Sequence, residues 1–285
     1  MNRIILQEIV HSYGRTAQFP QEAIDALAKG AKDLPEAAMT LLDTVCTDYQ
    51  KSEKLTYAMQ EEFEKAASPV HIYTAQMLFY MANLPLLEEK YRQKGLQAAL
   101  FDRVLFDLRA KLFECKDVYD IWGSFVAIWF ARFFNFSLYG IERLEFAPFR
   151  MEYDYTGQGV TVKKGDFAID VHIPSGAPLS HGDVLRSYQR AAEFFNCRIF
   201  VCESWMLYPA HREMLNDCPN LMAFFRDYDV VEEGESRDDL WRIFGAKYGE
   251  KPENLPRDTA LRRVYADRLE KGLPIGWGKG ILVLK

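Results

Sequence analysis

The segment from Phe167 to Leu207 constrains the fold most, because it predicts a strand, a loop, a helix and a second strand in succession. Its sequence is FAIDVHIPSGAPLSHGDVLRSYQRAAEFFNCRIFVCESWML. Apolar residues alternate with polar or small ones from Phe167 to Ile173, which is typical of a strand, and Pro174 ends it. The last part, IFVCESW, has the apolar composition of a more buried strand. The segment therefore predicts a β-loop-α-β unit.

The helix of this unit has clear start and stop signals. Ser180 followed by Asp183 fits a capping box, and Asn196 is a residue type that often ends a helix. Its apolar face comprises Val184, Tyr188, Ala191, Ala192 and Phe195. The loop follows the carboxyl end of a strand, so the unpaired N–H groups and positive dipole end of the helix point into it. This arrangement is suited to a phosphate or carboxylate.

Length and composition are those of a globular protein with one large or two ordinary domains. The chain has 285 residues, 49% of them apolar and 27% charged, which is enough to bury a core. The net charge is −6 and no basic cluster is present, so nucleic acid is not an expected partner. The first residues, MNRIILQEIVHSYG, are too polar and too short in apolar run for a signal peptide.

Cysteine usage and hydropathy favour the cytoplasm. The five cysteines are scattered, odd in number and never in a C-x-x-C pair, so reduced thiols are expected. The most apolar segment, residues 121–141, contains a single charge, Arg132. A charge at the bilayer centre costs roughly 2.5–3.5 kcal/mol on insertion scales. Residues 121–139 are therefore predicted to form a buried helix, and no membrane association is expected.

Residues 1–140 predict an all-helical domain. Apolar residues recur at helical spacing throughout, and Ser68-Pro69 and Pro85 are predicted to break the chain into separate helices. The helix that follows Gly95 carries a charged row predicted to be a solvated face. This row comprises Asp102, Arg103, Asp107, Arg109 and Lys111.

The hydrophobic period changes from 3.6 to 2 at Gly140. Strand patterns precede and follow the β-loop-α-β unit, with short amphipathic helices among them. The sequence therefore predicts a mixed α+β fold. A helical N-terminal domain, residues 1–140, is expected to pack on an α/β domain, residues 141–285.

Four segments of the second half resemble a bacterial acyltransferase family: GIERLEFAPFRM, IDVHIPSGAPLS, SYQRAAEFF and CESWMLYPAHREML. Members pair a helical N-acyltransferase N-terminal domain with a C-terminal domain like that of the GNAT N-acetyltransferases. The resemblance covers the C-terminal half well and the N-terminal half loosely. It implies a GNAT-like domain with a mixed, mostly antiparallel sheet, and acetyl-CoA or another acyl-CoA as co-substrate.

The resemblance also implies a role for the loop PSGAPLS. In GNAT enzymes the pyrophosphate of acyl-CoA lies on backbone N–H groups between the fourth strand and the next helix. The corresponding residues here are Ser175, Gly176, Ala177, Leu179 and Ser180. The loop departs from the usual pattern of Gln or Arg, two residues, Gly, one residue, then Gly or Ala. It has one glycine, and its two prolines lack N–H groups. The alternative is a rigid connector before a capped helix.

His172 is the candidate general base. It shares one strand face with Asp170, two residues earlier. A neutral imidazole at a strand end beside a cleft can take a proton from an attacking amine. The alternative is a hydrogen-bonded histidine with a purely structural role.

Ser204 and Tyr208 are candidates from the neighbouring strand. Ser204 closes this strand together with Glu203, and GNAT-like enzymes often place a tyrosine after it as general acid to the leaving thiolate. Tyr208 has that position, with packing beside Pro209 as the alternative. Cys202 lies in an apolar run and is predicted to pack as a small hydrophobe. No His or Cys cluster has metal-ligand spacing, so no metal is predicted.

These features together predict an acyl-CoA-dependent N-acyltransferase. The acyl group would pass directly from a CoA or carrier thioester to an amine of a small molecule or peptide. The alternative is a noncatalytic GNAT-like module that binds a peptide or an anionic metabolite in the same cleft.

Overall fold

The computed structural model describes residues 1–47, 52–65, 68–214, 218–245 and 251–285. They divide into two compact units, one formed by Met1–Gly140 with Pro174–Gly176 and the other by Ile141–Ile173 with Ala177–Lys285. The first unit is helical and the second contains nearly all of the sheet. The predicted mixed α+β fold is confirmed.

Helices form the first unit. They are α1 (Arg3–Thr16), α2 (Gln21–Asp33), α3 (Glu36–Thr47), α4 (Ser52–Lys65), α5 (Ile72–Gln93), α6 (Ala98–Tyr119) and α7 (Ala131–Phe134). A 3-10 turn, Ala127–Phe130, precedes α7. Helix α5 is buried from Ala75 to Leu84. In the core of the first unit, the Tyr80 hydroxyl lies 2.7 Å from the Thr56 hydroxyl. The rings of Tyr80 and Phe130 pack with their centroids 5.3 Å apart.

The predicted helix break at Pro85 is wrong. Pro85 lies inside α5, which continues to Gln93. A proline in a helix interior removes one backbone hydrogen bond and costs roughly 3 kcal/mol. Leu84 and Leu87 on either side of it are buried. Most helical stability in proteins comes from such packing, which here outweighs the local penalty.

The single helix predicted for residues 121–139 is also wrong. The chain is irregular up to the 3-10 turn, and α7 has only four residues. Gly123 lies against the backbone of Tyr73, where a Cβ atom at Gly123 would be 2.5 Å from the Tyr73 carbonyl oxygen. The Ser124 N–H donates to the same oxygen at 3.0 Å, and the Trp122 carbonyl accepts from the Thr74 hydroxyl at 2.9 Å. Bonds to α5 thus replace the bonds of a local helix.

The solvated face predicted for α6 is wrong at two positions. Asp107 is fully buried and Lys111 is 7% exposed. The Lys111 Nζ atom lies 3.8 Å from Asp107 Oδ1 and 3.4 Å from Glu114 Oε2. Charges can be buried when they are paired, and the spacing of four residues along the helix supplies a partner for each of these two.

The sheet of the second unit is mixed and mostly antiparallel. Its strands are β1 (Tyr139–Ile141), β2 (Leu144–Arg150), β5 (Phe167–His172), β6 (Ile199–Ser204), β7 (Asp229–Glu235) and β8 (Gly276–Val283). Their order is β1-β2-β5-β6-β8-β7, and a separate hairpin joins β3 (Tyr155–Gly157) to β4 (Val160–Val162). The β2–β5, β6–β8 and β7–β8 pairs are antiparallel, whereas β5–β6 is parallel.

Five helices belong to the second unit in the part of the chain that the structure describes. They are α8 (His181–Phe195), α9 (His211–Met214), α10 (Pro219–Arg226), α11 (Leu240–Phe244) and α12 (Ala260–Glu270). Helix α8 is the predicted crossover between the parallel strands β5 and β6. It ends at Asn196, which adopts the left-handed conformation with φ 50°.

The two faces of the sheet are covered by different elements. On one face, Phe200 of β6 packs against Tyr188 of α8 at 5.2 Å and against Phe146 of β2 at 6.0 Å. The opposite face packs against the β3–β4 hairpin. Its buried cluster consists of Met151, Tyr155, Val162, Ala168, Val201 and Ile281. We call this second side the hairpin face.

Gln158, in the turn of the hairpin, attaches the hairpin to β8. Its side-chain amide donates to the carbonyl of Ile281 at 2.8 Å and accepts from the N–H of Val283 at 3.0 Å. Strand β7 starts at Asp229, which pairs with Ile281. The Gln158 side chain thus continues the hydrogen bonding of β8 beyond the point where β7 begins.

Among the described residues, no helix combines the length and the apolar character needed to cross a bilayer.

His211, at the start of α9, is fully buried. Its Nδ1 atom lies 3.3 Å from the Met206 carbonyl, and its Nε2 atom bonds the Tyr265 hydroxyl. A carbonyl can only accept, so Nδ1 carries the proton and Nε2 accepts from Tyr265. Burial lowers the pKa of His211 to about 4 from its ordinary 6.5.

This pKa predicts a loss of stability in mild acid. Above pH 6.5 His211 is neutral in both folded and unfolded states. Between pH 6.5 and about pH 4, His211 is protonated in the unfolded chain but remains neutral in the folded protein. The free energy of unfolding should fall by about 3 kcal/mol across this window through His211 alone. Denaturant titrations at pH 7.5 and 4.5 should show a smaller loss for His211→Gln than for wild type, and equal losses would contradict the prediction.

Candidate functional site

The parallel strands β5 and β6 pair over a short length only. Their register joins Ile169 to Phe200 and Asp170 to Val201, and in the described chain it extends to neither His172 nor Glu203. Because alternate residues share a face, His172 and Glu203 lie on the hairpin face with Asp170 and Val201. We call the place where pairing ends, flanked by His172 and Glu203, the strand gap.

His172 and Asp170 are in close polar contact beside the strand gap. The His172 Nε2 atom lies 2.8 Å from Asp170 Oδ2, and each side chain is 25% exposed. A carboxylate accepts hydrogen bonds, so it favours the tautomer with the proton on Nε2. That tautomer leaves Nδ1 as the nitrogen that can accept a proton. The predicted sharing of one strand face is therefore accompanied by direct contact.

Lys279 lies on the other side of Glu203. It pairs in register with Glu203 of β6 and with Glu232 of β7, and it makes an ion pair with Glu152. Burial alone would lower the pKa of Lys279, but the Glu152 hydrogen bond and the surrounding charges outweigh it and raise the pKa. The ammonium is thus held in its charged form. We call these four residues the Lys279 cluster.

The loop after β5 presents unused backbone donors. Among the described residues, no hydrogen bond uses the backbone N–H of Ser175, Gly176, Ala177, Leu179 or Ser180. The Arg143 guanidinium donates to the carbonyls of Ala177 at 2.8 Å and Pro178 at 2.9 Å. In a trans peptide the C=O and N–H point in opposite directions, so the Leu179 N–H is directed away from Arg143. Unpaired amides that share a loop can bind an anion.

Ser180 caps α8 as predicted. Its side-chain oxygen accepts from the Asp183 N–H at 3.3 Å, and its hydroxyl donates to the Asp183 carboxylate. In a full capping box that carboxylate would accept from the Ser180 backbone N–H instead, so this amide stays available. Arg186 forms an ion pair with Asp183 and offsets its negative charge beside the helix start.

Two further contacts join α8 to other elements of the second unit. The Arg143 N–H donates to the Ser187 hydroxyl at 2.9 Å, which links the turn before β2 to α8. His181 Nε2 lies 3.0 Å from both carboxylate oxygens of Asp227. Sequence reasoning assigned no role to these residues, because no local pattern indicates that a turn or a helix end meets α8.

Gly176 has a backbone conformation that other residues rarely adopt, with φ 87°. A Cβ atom there would lie 3.4 Å from the Cβ of Ala110 in α6. The glycine is therefore required by the shape of the loop itself, whether or not a ligand approaches it.

Ser204 and Tyr208 lie at either end of a 3-10 turn, Trp205–Leu207, that follows β6. The Ser204 hydroxyl accepts from the Met206 N–H at 3.2 Å, which caps this turn. Tyr208 is 8% exposed, and its ring packs edge-on against His211 with centroids 5.9 Å apart. The structure thus places Ser204 at the last position of β6, next in the chain to Glu203, and Tyr208 just after the turn that follows.

Cys202 and the acidic side chains of the described segments show no reactive or metal-binding arrangement. Cys202 is fully buried, and burial raises the pKa of its thiol well above the usual value, which disfavours the thiolate. In the parts of the chain that the structure covers, no three His, Cys, Asp or Glu side chains are grouped so that they could hold a metal ion.

The Ser180 cap gives a stability prediction with an internal control. Ser180→Ala removes the hydroxyl that satisfies the Asp183 N–H and should lower the free energy of unfolding by about 0.5–2 kcal/mol. Ser175 lies in the same loop and its hydroxyl makes no hydrogen bond in the described structure, so Ser175→Ala should change it by less than about 0.5 kcal/mol. Urea unfolding measures both, and equal effects would show that the cap contributes nothing specific.

Comparison with solved structures shows the same fold in acyltransferases. An acyltransferase mutant in complex with octanoyl-CoA has a TM-score of 0.75 and 18% identity, covering 98% of this chain and 88% of that chain. An acyltransferase with decanoyl-CoA and teicoplanin has a TM-score of 0.75 and 19% identity, covering 97% and 88%. A third, with decanoyl-CoA, has the same TM-score and coverage at 16% identity.

Family comparisons cover nearly the whole sequence. A search of curated proteins finds no significant match. Two family models do match: an N-acyltransferase N-terminal domain over residues 10–136 and a GNAT-like C-terminal domain over residues 138–282. Because the second model alone spans more than half of the 285 residues, the protein belongs to the GNAT-like C-terminal domain family, here preceded by an N-acyltransferase N-terminal domain.

Proposed function

We propose that the protein transfers an acyl group from acyl-CoA to the nitrogen of an amine. The observation that carries this proposal is the strand gap, where β5 and β6 cease to pair beside the Asp170–His172 contact. The reaction needs a base at a cleft that admits a thioester and an amine from opposite directions, and a gap between two strands offers such a cleft. Family membership and the acyl-CoA complexes of the structural relatives support the choice of donor.

The donor's pyrophosphate would lie on the loop after β5. Its five amide donors are Ser175, Gly176, Ala177, Leu179 and Ser180, which make no hydrogen bond in the described structure. The positive end of the α8 dipole adds to their attraction for phosphate. Although Pro174 and Pro178 lack N–H groups, the Arg143 contacts fix the loop carbonyls on one side and so orient the remaining donors. The departure from the usual GNAT loop pattern is compatible with this role.

His172 would act as the general base. His172 keeps its Nε2 proton, which faces the Asp170 carboxylate, so Nδ1 takes a proton from the acceptor amine while the amine nitrogen attacks the thioester carbonyl carbon. A carbon–nitrogen bond forms and the carbon–sulfur bond breaks. The products are an amide, CoA and a protonated His172, which the Asp170 carboxylate stabilises.

Tyr208 would donate a proton to the departing thiolate, and the proton held by His172 would restore the Tyr208 hydroxyl through solvent. It directly follows the 3-10 turn at the end of β6, and Ser204 acts as a positioning residue because its hydroxyl caps that turn. The acceptor would be an amine of a small molecule or peptide. One structural relative was crystallised with teicoplanin, which supports a peptide-like acceptor.

Two further parts of the proposal concern organisation and location. We place the domain boundary at residue 140, supported by the family models that end at 136 and begin at 138. We place the protein in the cytoplasm, supported by the four described cysteines, Cys115, Cys197, Cys202 and Cys218, which are free thiols.

Acyl-CoA binding and turnover test the function. Calorimetric titration with acetyl-, octanoyl- and decanoyl-CoA should detect binding, and CoA thiol should be released when a primary amine is added. His172→Ala should lower kcat/KM by about 10²–10⁴-fold and leave the Kd for acyl-CoA within about twofold, because His172 does not contact the pyrophosphate in this proposal. Asp170→Asn should lower kcat/KM by a smaller factor, since the base remains but its tautomer is no longer fixed.

A matched histidine serves as the control. His71, on the helical unit, caps α5 with its Nδ1 atom, and His71→Ala should leave kcat/KM unchanged. Binding of acyl-CoA without any transfer would favour the noncatalytic module instead. Absence of binding at millimolar acyl-CoA would contradict both the donor assignment and the loop's role.

A further inference from the structure

Glu203 is a carboxylate at the strand gap to which the proposed mechanism gives no role. It lies two residues beyond Val201, the last residue of β6 that pairs with β5, as His172 lies two beyond Asp170. The two side chains therefore flank the strand gap on the hairpin face. Glu203 is 58% exposed, so a molecule entering the gap can reach its carboxylate.

Lys279 neutralises Glu203 only weakly. The Lys279 Nζ atom lies 3.8 Å from Glu203 Oε2, whereas it makes a direct hydrogen bond to Glu152. Lys279 is 9% exposed, whereas the Glu203 side chain is 58% exposed, so the ammonium covers little of the Glu203 carboxylate. The Lys279 cluster contains three carboxylates and one ammonium, which leaves two net negative charges next to the strand gap.

Tyr153, beside the Lys279 cluster, has a hydroxyl that lacks a hydrogen-bond partner among the described residues. Its ring lies 5.9 Å from the Lys279 ammonium, and its hydroxyl is buried. A buried hydroxyl without a partner is unfavourable by roughly 1–3 kcal/mol. A polar ligand group beside Lys279 would satisfy it.

An amine that accepts an acyl group is mostly protonated when it meets the protein at neutral pH. Alkyl amines are ammonium ions at neutral pH, like the lysine side chain. We propose that Glu203 binds the ammonium form of the acceptor and that the Lys279 cluster makes the site selective for cationic amines. The bound ammonium would lose one proton to solvent before the attack and the second to His172 as the carbon–nitrogen bond forms. The role of this amine as acceptor rests on the proposed acyl transfer, while the preference for a cation can be tested without turnover.

The kinetic test uses Glu203→Gln, which keeps the size of the side chain and removes its charge. The KM for the amine should rise roughly tenfold, the scale of one charge-assisted hydrogen bond. The value of kcat at saturating amine and the KM for acyl-CoA should each stay within about twofold. An unchanged amine KM, or a fall in kcat alone, would overturn the inference.

Asp154→Asn is the matched control. Asp154 is also 58% exposed and also pairs with a lysine, Lys163, at 2.8 Å, but it belongs to the turn before β3 rather than to the strand gap. This substitution should leave the amine KM unchanged. A rise equal to that of Glu203→Gln would mean that overall charge, and not Glu203, attracts the amine.

A binding test decides the inference even if no transfer is found. Benzylamine and benzyl alcohol have the same size, and only the amine is charged at neutral pH. In NMR titrations, wild type and Asp154→Asn should bind benzylamine at least roughly tenfold more tightly than benzyl alcohol, and Glu203→Gln should lose this difference. Equal binding of both probes by wild type, or a preference kept by Glu203→Gln, would overturn the inference. Failure of transfer alone would contradict only the proposed function.

Discussion

The parallel pairing of β5 with β6 is the constraint on which the candidate site depends. A parallel neighbour cannot be reached by a tight turn, so the chain has to cross over through α8 before β6 can begin. This crossover places the loop, the capped helix start and the end of β5 next to one another. Because the pairing lasts for only two register positions, His172 and Glu203 both lie at the strand gap. A longer parallel pair would leave no such opening.

The parts of the structure that depend on local sequence could be predicted. Ser180 and Asn196 mark the ends of α8 through their own side chains and backbone preferences, and the strand alternation from Phe167 does not require knowledge of the rest of the chain. The same holds for Asp170 and His172, whose spacing alone places them on one strand face. These features were predicted because the physical cause and its effect lie within a few residues.

The parts that depend on distant residues could not be predicted. Pro85 remains helical because buried neighbours support it, and the segment after α6 is irregular because Gly123 meets the backbone of Tyr73. The partners of Arg143 and Lys279 could not be predicted either, because nothing near these residues in the sequence indicates which carbonyls or carboxylates they contact. The charge at the strand gap could not be inferred either, because it requires the register of β8 with both of its neighbours.

Gln158 has a consequence for how the sheet avoids self-association. An uncovered strand edge presents unpaired N–H and C=O groups that can recruit a strand from another molecule. Beyond Asp229 the outer side of β8 would be such an edge, yet the amide of Gln158 occupies the donor of Val283 and the acceptor of Ile281. The Gln158 side chain therefore pairs with the backbone groups that an additional strand would otherwise bind, and it comes from a hairpin much earlier in the chain. Displacement of that hairpin would expose a surface that other copies of the protein could extend into a continuous sheet.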